Sequence, residues 1–444
     1  MTTYTPRVKP VPALRETDDA QLYRKVLLRL IPVLFISQIF AFLDRVNIGF
    51  AKTHMTGDLG LSAAQYGLAA GVFFVGNMLL EIPSNLWLHR FGARKSLFRI
   101  MLLWGLVSSA TMFVRTPHEL VLMRFVLGLC EAGFWPGVLL YLTYWFPAAR
   151  RANAVAICLL APTAAGVLAG PLSGWILGNL DGAAGLHGWQ WMFLIEGIPA
   201  CFVGVLLRIY LPDGPRDAGW LRSDERARLM AALADESAEG RGSGSHTGFD
   251  RAHWRTTALF AFLLACVLSG VFLNVFWLPT IIREAGVHGD LRIGLYSVVP
   301  YLVSGLVMVL VSRHSDAHGE RRWHFAGSMF VAAIGLAMIA QGHASLAIAL
   351  PGICLLGSGL SAALAVFWAL PPAYLPKSSL PGAIAAINMI GGIGAMAGPW
   401  LIGLLRDRTG SVSLAMAPFC VLLLIAAICA VVGTRKRSMI REPL

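Results

Sequence analysis

Charge is scarce in this sequence. Of its 444 residues only 14% are Asp, Glu, Lys or Arg, while 57% are hydrophobic. A soluble domain carries roughly 25% charged residues. A water-soluble chain of this length could not hide so much apolar surface, so the bilayer is its natural solvent. Acids are scarcer than bases, with 24 Asp and Glu against 36 Lys and Arg, a net charge of +12. In a soluble protein that balance would suggest nucleic acid. Here the basic residues stand in short loops and tails between apolar runs, and no nucleic-acid-binding motif is present, so no such partner is expected. Cysteine is sparse as well. Cys130, Cys158, Cys201, Cys266, Cys354, Cys420 and Cys429 all lie in apolar runs and none forms a CxxC pair. They read as small buried hydrophobes, which excludes a disulfide framework. The N-terminus lacks the short apolar core and small-residue cleavage site of a secretory signal, so the first apolar run is expected to remain as a membrane helix. A Walker loop, a dinucleotide fingerprint and a metal-ligand cluster are also missing. Neither cofactor nor metal is expected, and no catalytic constellation suggests an enzyme. His314, His318 and His324 crowd one loop, whose polar setting reads as solvated rather than metal-binding.

What the sequence has is long apolar runs. A span needs about 20 apolar residues to cross a bilayer core. Twelve runs qualify: 27–50, 63–87, 96–114, 118–145, 152–178, 190–211, 256–282, 293–312, 325–342, 346–370, 382–405 and 412–434. They are too long for strands and do not alternate with period two, so they predict an all-α membrane protein and not a barrel.

The one long polar stretch is 213–255. It follows Pro212 with Asp213, Gly214 and Pro215, which end a helix, and Ser223 opens a short amphipathic helix with Leu229 and Leu233 on one face. Its close, from Gly240 to Gly248, has flexible composition. The chain thus divides into a tail (1–26), a six-helix half (27–212), a linker (213–255), a second six-helix half (256–434) and a tail (435–444).

Loop charge gives an orientation. With a cytoplasmic N-terminus, the inner loops hold Arg90, Arg94, Lys95, Arg99, Arg150, Arg151, Arg313, Arg321, Arg322 and Lys377. The outer loops hold only Lys52, Arg115, Arg283, Arg292, Arg406 and Arg408. The bias predicts a multi-pass protein of the plasma (inner) membrane with both termini and the linker in the cytoplasm.

The halves repeat each other. His89-Arg90-Phe91-Gly92-Ala93-Arg94-Lys95 stands between spans two and three, and Asp316-Ala317-His318-Gly319-Glu320-Arg321-Arg322 between spans eight and nine, 227 residues later. Pro147 precedes Gly170-Pro171 as Pro376 precedes Gly398-Pro399, at offsets of 229 and 228. Two motifs at nearly one offset argue for duplication. A parallel repeat of two six-helix halves is a transporter plan that places the substrate between the halves near the midplane.

These residues carry a family resemblance. The first loop motif resembles the major facilitator signature Gly-x-x-x-Asp-Arg-x-Gly-Arg-Arg/Lys. Phe42-Leu43-Asp44-Arg45-Val46-Asn47-Ile48-Gly49-Phe50-Ala51, Glu81-Ile82-Pro83-Ser84-Asn85, Glu131-Ala132-Gly133-Phe134-Trp135-Pro136-Gly137, Phe276-Trp277-Leu278-Pro279-Thr280 and Arg313-His314-Ser315-Asp316 resemble the anion:cation symporter family within that superfamily. That family includes tartrate, phthalate, hydroxyphenylacetate and sugar-acid permeases. The resemblance runs from about residue 25 to 435. The chain departs from the pattern at His89, Asn85, Asn77 and Gly392, where Asp, Gly, Tyr and Asn are common.

Ionisable groups inside spans are expensive and usually functional. Asp44 and Arg45 lie in span one; helix neighbours point about 100° apart, so they can face one interior yet reach different partners. Their bare structural role would be to cap the helix end. Arg124 and Glu131 lie seven residues apart in span four, two turns along one face, and could simply form an internal salt bridge. A carboxylate in a low-dielectric interior favours its neutral form unless a cation pairs with it, so a mid-span Glu131 can take up a proton. The resemblance implies proton coupling at Asp44 and Glu131 and carboxylate binding at Arg45. The arginine fork suits a carboxylate, so Arg124 joins Arg45 as a candidate substrate cation. Asn77, Asn274 and Asn388 could line the cavity or bond a neighbouring helix. Trp368 is expected to floor the cavity, and Tyr374 to anchor at the interface. Glu81 is expected to pair with a basic loop residue. Arg90, Gly92, Arg94, Asp316, Gly319 and Arg321 form a cytoplasmic gate motif, binding acids and helix C-termini of their own half.

The expectation is a secondary active transporter, a monomer in the lipid bilayer, that moves a small organic anion (a carboxylate or sugar acid) with protons by alternating access. Alternatives are a uniporter or exchanger with the same site, a membrane-embedded ligand sensor, and an integral membrane enzyme.

Overall fold

A computed structural model describes residues 16–240, 253–341, 345–376 and 379–435. Lys377 and the run 241–248 lie outside the described residues. Among those described there is no strand, and twelve helices are long and apolar enough to cross a membrane.

The first half comprises α1 (Glu16–Leu59), α2 (Ala63–Phe91), α3 (Ala93–Ala110), α4 (Pro117–Glu131), α5 (Phe134–Thr143), α6 (Ala148–Cys158), α7 (Ala161–Asn179) and α8 (Gly188–Tyr210). The linker forms α9 (Ser223–Gly240), with Leu229 buried and Glu225 bonded to Lys25 of α1 at 2.6 Å. The second half comprises α10 (Trp254–Glu284), α11 (Asp290–His318), α12 (Arg322–Gln341), α13 (Leu346–Phe367), α14 (Pro371–Tyr374), α15 (Leu380–Thr409) and α16 (Val412–Gly433).

Two spans read as continuous are broken. Span four divides into α4 and α5 just after Glu131, and span five into α6 and α7. Proline explains both breaks. Pro136 and Pro162 have no N–H to donate, and their rings clash with the carbonyls of Ala132 and Cys158, four residues back. At the first break Gly133 adopts φ +81, which costs glycine no steric strain.

The first helix also outruns its predicted end. It continues to Leu59, so Lys52 is a buried residue of α1, only 3% exposed, and not a loop residue.

The halves share internal braces. Tyr141 donates to the Pro212 carbonyl at 2.8 Å, and Tyr374 donates to the Thr434 carbonyl at 2.9 Å. Arg94 Nε donates to the Arg208 carbonyl, and Arg322 donates to that of Val431. Each brace ties a helix end to the last helix of its own half. Tyr374 is therefore buried against Phe260 and Thr434, which corrects its expected place as an interface anchor.

Across the halves, α2 meets α15 and α7 meets α11 at backbone contact. A Cβ on Gly71 would lie 2.4 Å from the Met396 carbonyl oxygen, and one on Gly170 would lie 2.3 Å from that of Gly294. Twelve crossings put the start of α1 and the end of α16 at one end of the bundle. These cross-half contacts lie toward the other, far end. There Asp407 accepts from the first N–H groups of α2, at Ala63 (3.0 Å) and Ala64 (2.8 Å), and Asp290 pairs with His54 of α1. An acid at a helix N-terminus satisfies its unpaired donors and its dipole. The two halves thus meet in close contact at the far end.

Candidate functional site

Away from that contact, a cluster of charge lies among α1, α3 and α4. Arg45 of α1 forms an ion pair with Glu131 of α4. Glu131 is fully buried and its other oxygen, Oε2, has no hydrogen-bond partner among the described residues. Asp44 faces elsewhere: it accepts from the Trp104 indole at 2.9 Å, the Ser108 hydroxyl of α3 and the Asn47 amide at 3.1 Å. The neighbouring residues of α1 thus engage different partners. Asp44 is held by neutral donors and Arg45 by a carboxylate.

Arg124 is fully buried, and none of its Nε, Nη1 and Nη2 atoms has a hydrogen-bond partner among the described residues. Its guanidinium lies 5.2 Å from the centre of the Phe73 ring, and that of Arg45 lies 5.3 Å from the same ring. Phe73 lies close to both because α2 and α4 touch. A Cβ on Gly128 would lie 2.0 Å from the Phe73 carbonyl oxygen, and one on Gly76 would lie 2.3 Å from that of Phe125. Phe74 meets Phe272 of α10 with ring centres 4.3 Å apart, so aromatic rings carry the contact into the second half.

Four candidates named from sequence therefore converge: Asp44, Arg45, Arg124 and Glu131. Asn77 lies on α2 beside the Gly128 crossing and is half-buried. Asn274 is buried on α10 near Ser304 and Gly357, with Oδ1 unpartnered. Asn388 is exposed on α15, one turn before Gly392, which packs on Met78 of α2. That register aims it at the gap between the halves. Trp368 is not gathered in. It ends α13 on the termini-bearing side, 40% exposed, with its ring on Phe367. Glu81 makes no ion pair with any described residue, against expectation.

The loop motif residues act within each half. Gly92 takes φ +89, and a Cβ there would stand 2.8 Å from Asp213 Oδ1, the atom that accepts from the Arg94 backbone N–H at 3.0 Å. Arg90 is exposed, with its guanidinium over Phe91. In the second half Asp316 pairs with Arg321, and Gly319, at φ +62, ends α11. His314 and His324 share a hydrogen bond of 2.7 Å, and no described group of His, Cys, Asp and Glu could hold a metal ion.

Two buried ionisable residues escaped the sequence reading. Lys52 follows the end of the apolar run, yet α1 continues past it to Leu59. Its Nζ lies 3.2 Å from Thr280 Oγ1 and 3.3 Å from the centre of the Trp277 ring, both on α10. Glu196 of α8 is also buried and accepts from Ser173 at 2.7 Å. It carried the same signal as Glu131, an acid inside an apolar run.

Comparison with known proteins agrees with the fold. The family model described as Major Facilitator Superfamily matches residues 34–399 and again 260–443. A protein named "Putative tartrate transporter" from Agrobacterium vitis is 41% identical over 418 residues, covering 94% of this chain and 95% of that one. "Putative metabolite transport protein NicT" from Pseudomonas putida is 40% identical over 395 residues, covering 88% and 89%. Among solved structures, a bacterial homolog of the human lysosomal transporter Spinster, in an inward-facing and occupied conformation, superposes with a TM-score of 0.76 at 18% identity, covering 95% of this chain and 99% of that one. The match in sequence and the shared twelve-helix architecture lead to one conclusion: this chain belongs to the Major Facilitator Superfamily of membrane transporters.

Proposed function

We propose that this protein is a secondary active transporter that carries a small organic anion, a carboxylate or sugar acid, together with protons. The observation that carries this reading is Arg124, a fully buried guanidinium without a hydrogen-bond partner among the described residues. Burying a cation is costly unless it is paired. Its fork of N–H donors matches a carboxylate in geometry and charge. The relatives named for tartrate and metabolite transport support a small organic substrate.

Charge balance supports the proton. Arg45 and Arg124 stand with Asp44 and Glu131, two cations with two acids. Adding a substrate carboxylate leaves an excess negative charge in a low-dielectric interior. Proton uptake by Glu131 or Asp44 restores neutrality. A substrate that draws Arg45 away from Glu131 would also free that acid for its proton. By reciprocity, protonation tightens substrate binding by the same factor.

The close contact at the far end suits alternating access, with the site reached from the termini-bearing side. Loop charge makes that side the cytoplasm, and the two loop motifs hold the helix ends that must meet when it closes. The test is uptake of labelled tartrate and other carboxylates into proteoliposomes, with and without an imposed pH difference. Accumulation driven by the pH gradient is expected. Uptake indifferent to pH would replace symport with uniport or exchange.

A further inference from the structure

Glu196 stands in the wall of the same cluster but on α8, outside the two cations and two acids at Arg45, Arg124, Asp44 and Glu131. It is 2% exposed. Its Oε1 accepts from Ser173 Oγ of α7 at 2.7 Å, and its Oε2 has no partner among the described residues. Asn47 lies within hydrogen-bonding reach of this carboxyl, while its Nδ2 donates to Asp44 Oδ1 at 3.1 Å. The other amide atom, Asn47 Oδ1, is also without a partner. Glu196 Oε2 and Asn47 Oδ1 are thus two buried acceptor oxygens without a donor among the described residues. A proton on Glu196 would supply one, as an O–H directed to the Asn47 carbonyl.

Among the described residues no cation stands against Glu196. Of the helices packed on α8, α1 presents Asp44 and Asn47. Helix α3 presents Trp104 and Ser108, both committed to Asp44, and α7 presents Ser173. The short turn Thr111–Phe113 carries no charged residue. The other charged contacts of α8, Asp58 at Trp189 and Arg94 at Arg208, lie toward its two ends. Three buried carboxyls thus share two guanidinium groups. A buried carboxyl with no cation against it and another carboxyl as its neighbour is costly to keep charged.

We infer that Glu196 is a third proton-binding carboxyl of the transport cycle, set against Asp44 through Asn47. This rests on the proton-coupled reading proposed above. The chemistry is the gain and loss of one carboxyl O–H, with the proton taken from water and returned to it. When Asp44 is ionised, the Asn47 N–H groups turn to it, and the Asn47 carbonyl is left to receive the Glu196 O–H. When Asp44 takes a proton it no longer needs that amide, and Asn47 can turn to stabilise an ionised Glu196. The two carboxyls would then hold their protons in alternation.

The test uses the full chain in lipid vesicles, with pH as the only probe. Infrared difference spectra taken across the pH range of transport report protonated carboxyl C=O bands. One titrating band should vanish in Glu196→Gln and persist in Glu131→Gln. A Glu196→Gln spectrum identical to that of the parent would overturn the inference. Should Glu196→Gln not fold, Ser173→Ala keeps the carboxyl but removes its hydroxyl donor. It should move the midpoint of that band by roughly half a pH unit or more, the worth of one hydrogen bond; an unmoved spectrum would count against the inference. Parent uptake in proteoliposomes separates the two readings. Uptake without any pH dependence would sink the coupling proposal itself, whereas pH-driven uptake with no Glu196 band would sink only this one.

Discussion

The Lys52 ammonium sits 3.3 Å from the centre of the Trp277 ring, across the boundary between the two halves. Lys52 belongs to α1 and Trp277 to α10, and Tyr66 of α2 closes the cage at 4.9 Å. A buried ammonium bound by aromatic faces and one hydroxyl is stable only while those faces stay in place.

The far-end contact between the halves should therefore depend on Trp277. A desolvated cation–π contact contributes about 2 kcal/mol, roughly a 30-fold shift between closed and open forms. In Trp277→Leu, spin labels at Asn179 and Leu291, which flank the α7–α11 contact, should show a new long-distance population. An unchanged distance distribution would show that the halves are held there by other contacts.

Substrate binding should depend on both arginines. Charge-assisted hydrogen bonds contribute about 1.5–3 kcal/mol, so Arg124→Ala should weaken carboxylate binding roughly 10- to 100-fold. Arg124→Lys keeps the charge but loses the fork and should also bind less well. Calorimetric titration with tartrate and a carboxylate panel reads both effects. Unchanged affinity in both Arg45→Ala and Arg124→Ala would remove the basis for an anionic substrate.

Glu131→Gln mimics the protonated acid permanently. It should still exchange substrate between the two sides of a vesicle, yet lose accumulation driven by a pH difference. Asp44→Asn should behave in the same way, or fail altogether by disturbing Trp104, Ser108 and Asn47, which all donate to it. If both variants accumulate substrate as the parent does, these acids are structural.

Outside the spans, Glu320 gives a stability prediction. Burial would raise its pKa, but the Trp323 N–H, the His324 ring and the His324 N–H outweigh that and hold it below the usual carboxylate value. A carboxyl depressed on folding adds stability at pH above its unfolded pKa and loses it as pH falls through the folded one. Its oxygens accept from the Trp323 N–H at 2.9 and 3.0 Å, at the start of α12. Glu320→Gln should cost about 1 kcal/mol at neutral pH, the usual worth of a helix cap, and progressively less in acid. Thermal unfolding in detergent at several pH values measures the difference.

The twelve spans, the polar linker and the repeated loops were all legible in the sequence. Each depends on a local property: the length of an apolar run, a proline-glycine stop, a motif that recurs at a fixed offset. The four central charged residues were legible for the same reason, since an ionisable group in an apolar run stands out wherever the chain later carries it. Glu196 carries that same signal.

What the sequence could not decide was pairing. Nothing local tells whether Arg45 meets Asp44 or Glu131, because α1 and α4 come together only when the half folds. Only the crossing of α2 and α4 at Gly76 and Gly128 brings Phe73 within reach of both arginines. Composition put Lys52 outside the apolar run, while tertiary packing buried it because Trp277, Tyr66 and Thr280 compensate its charge from other helices. The sequence thus determined which groups must lie in the membrane. Only the packing of distant helices decided which of them are paired and which are left to seek a partner, because that choice depends on distances between residues far apart in the chain.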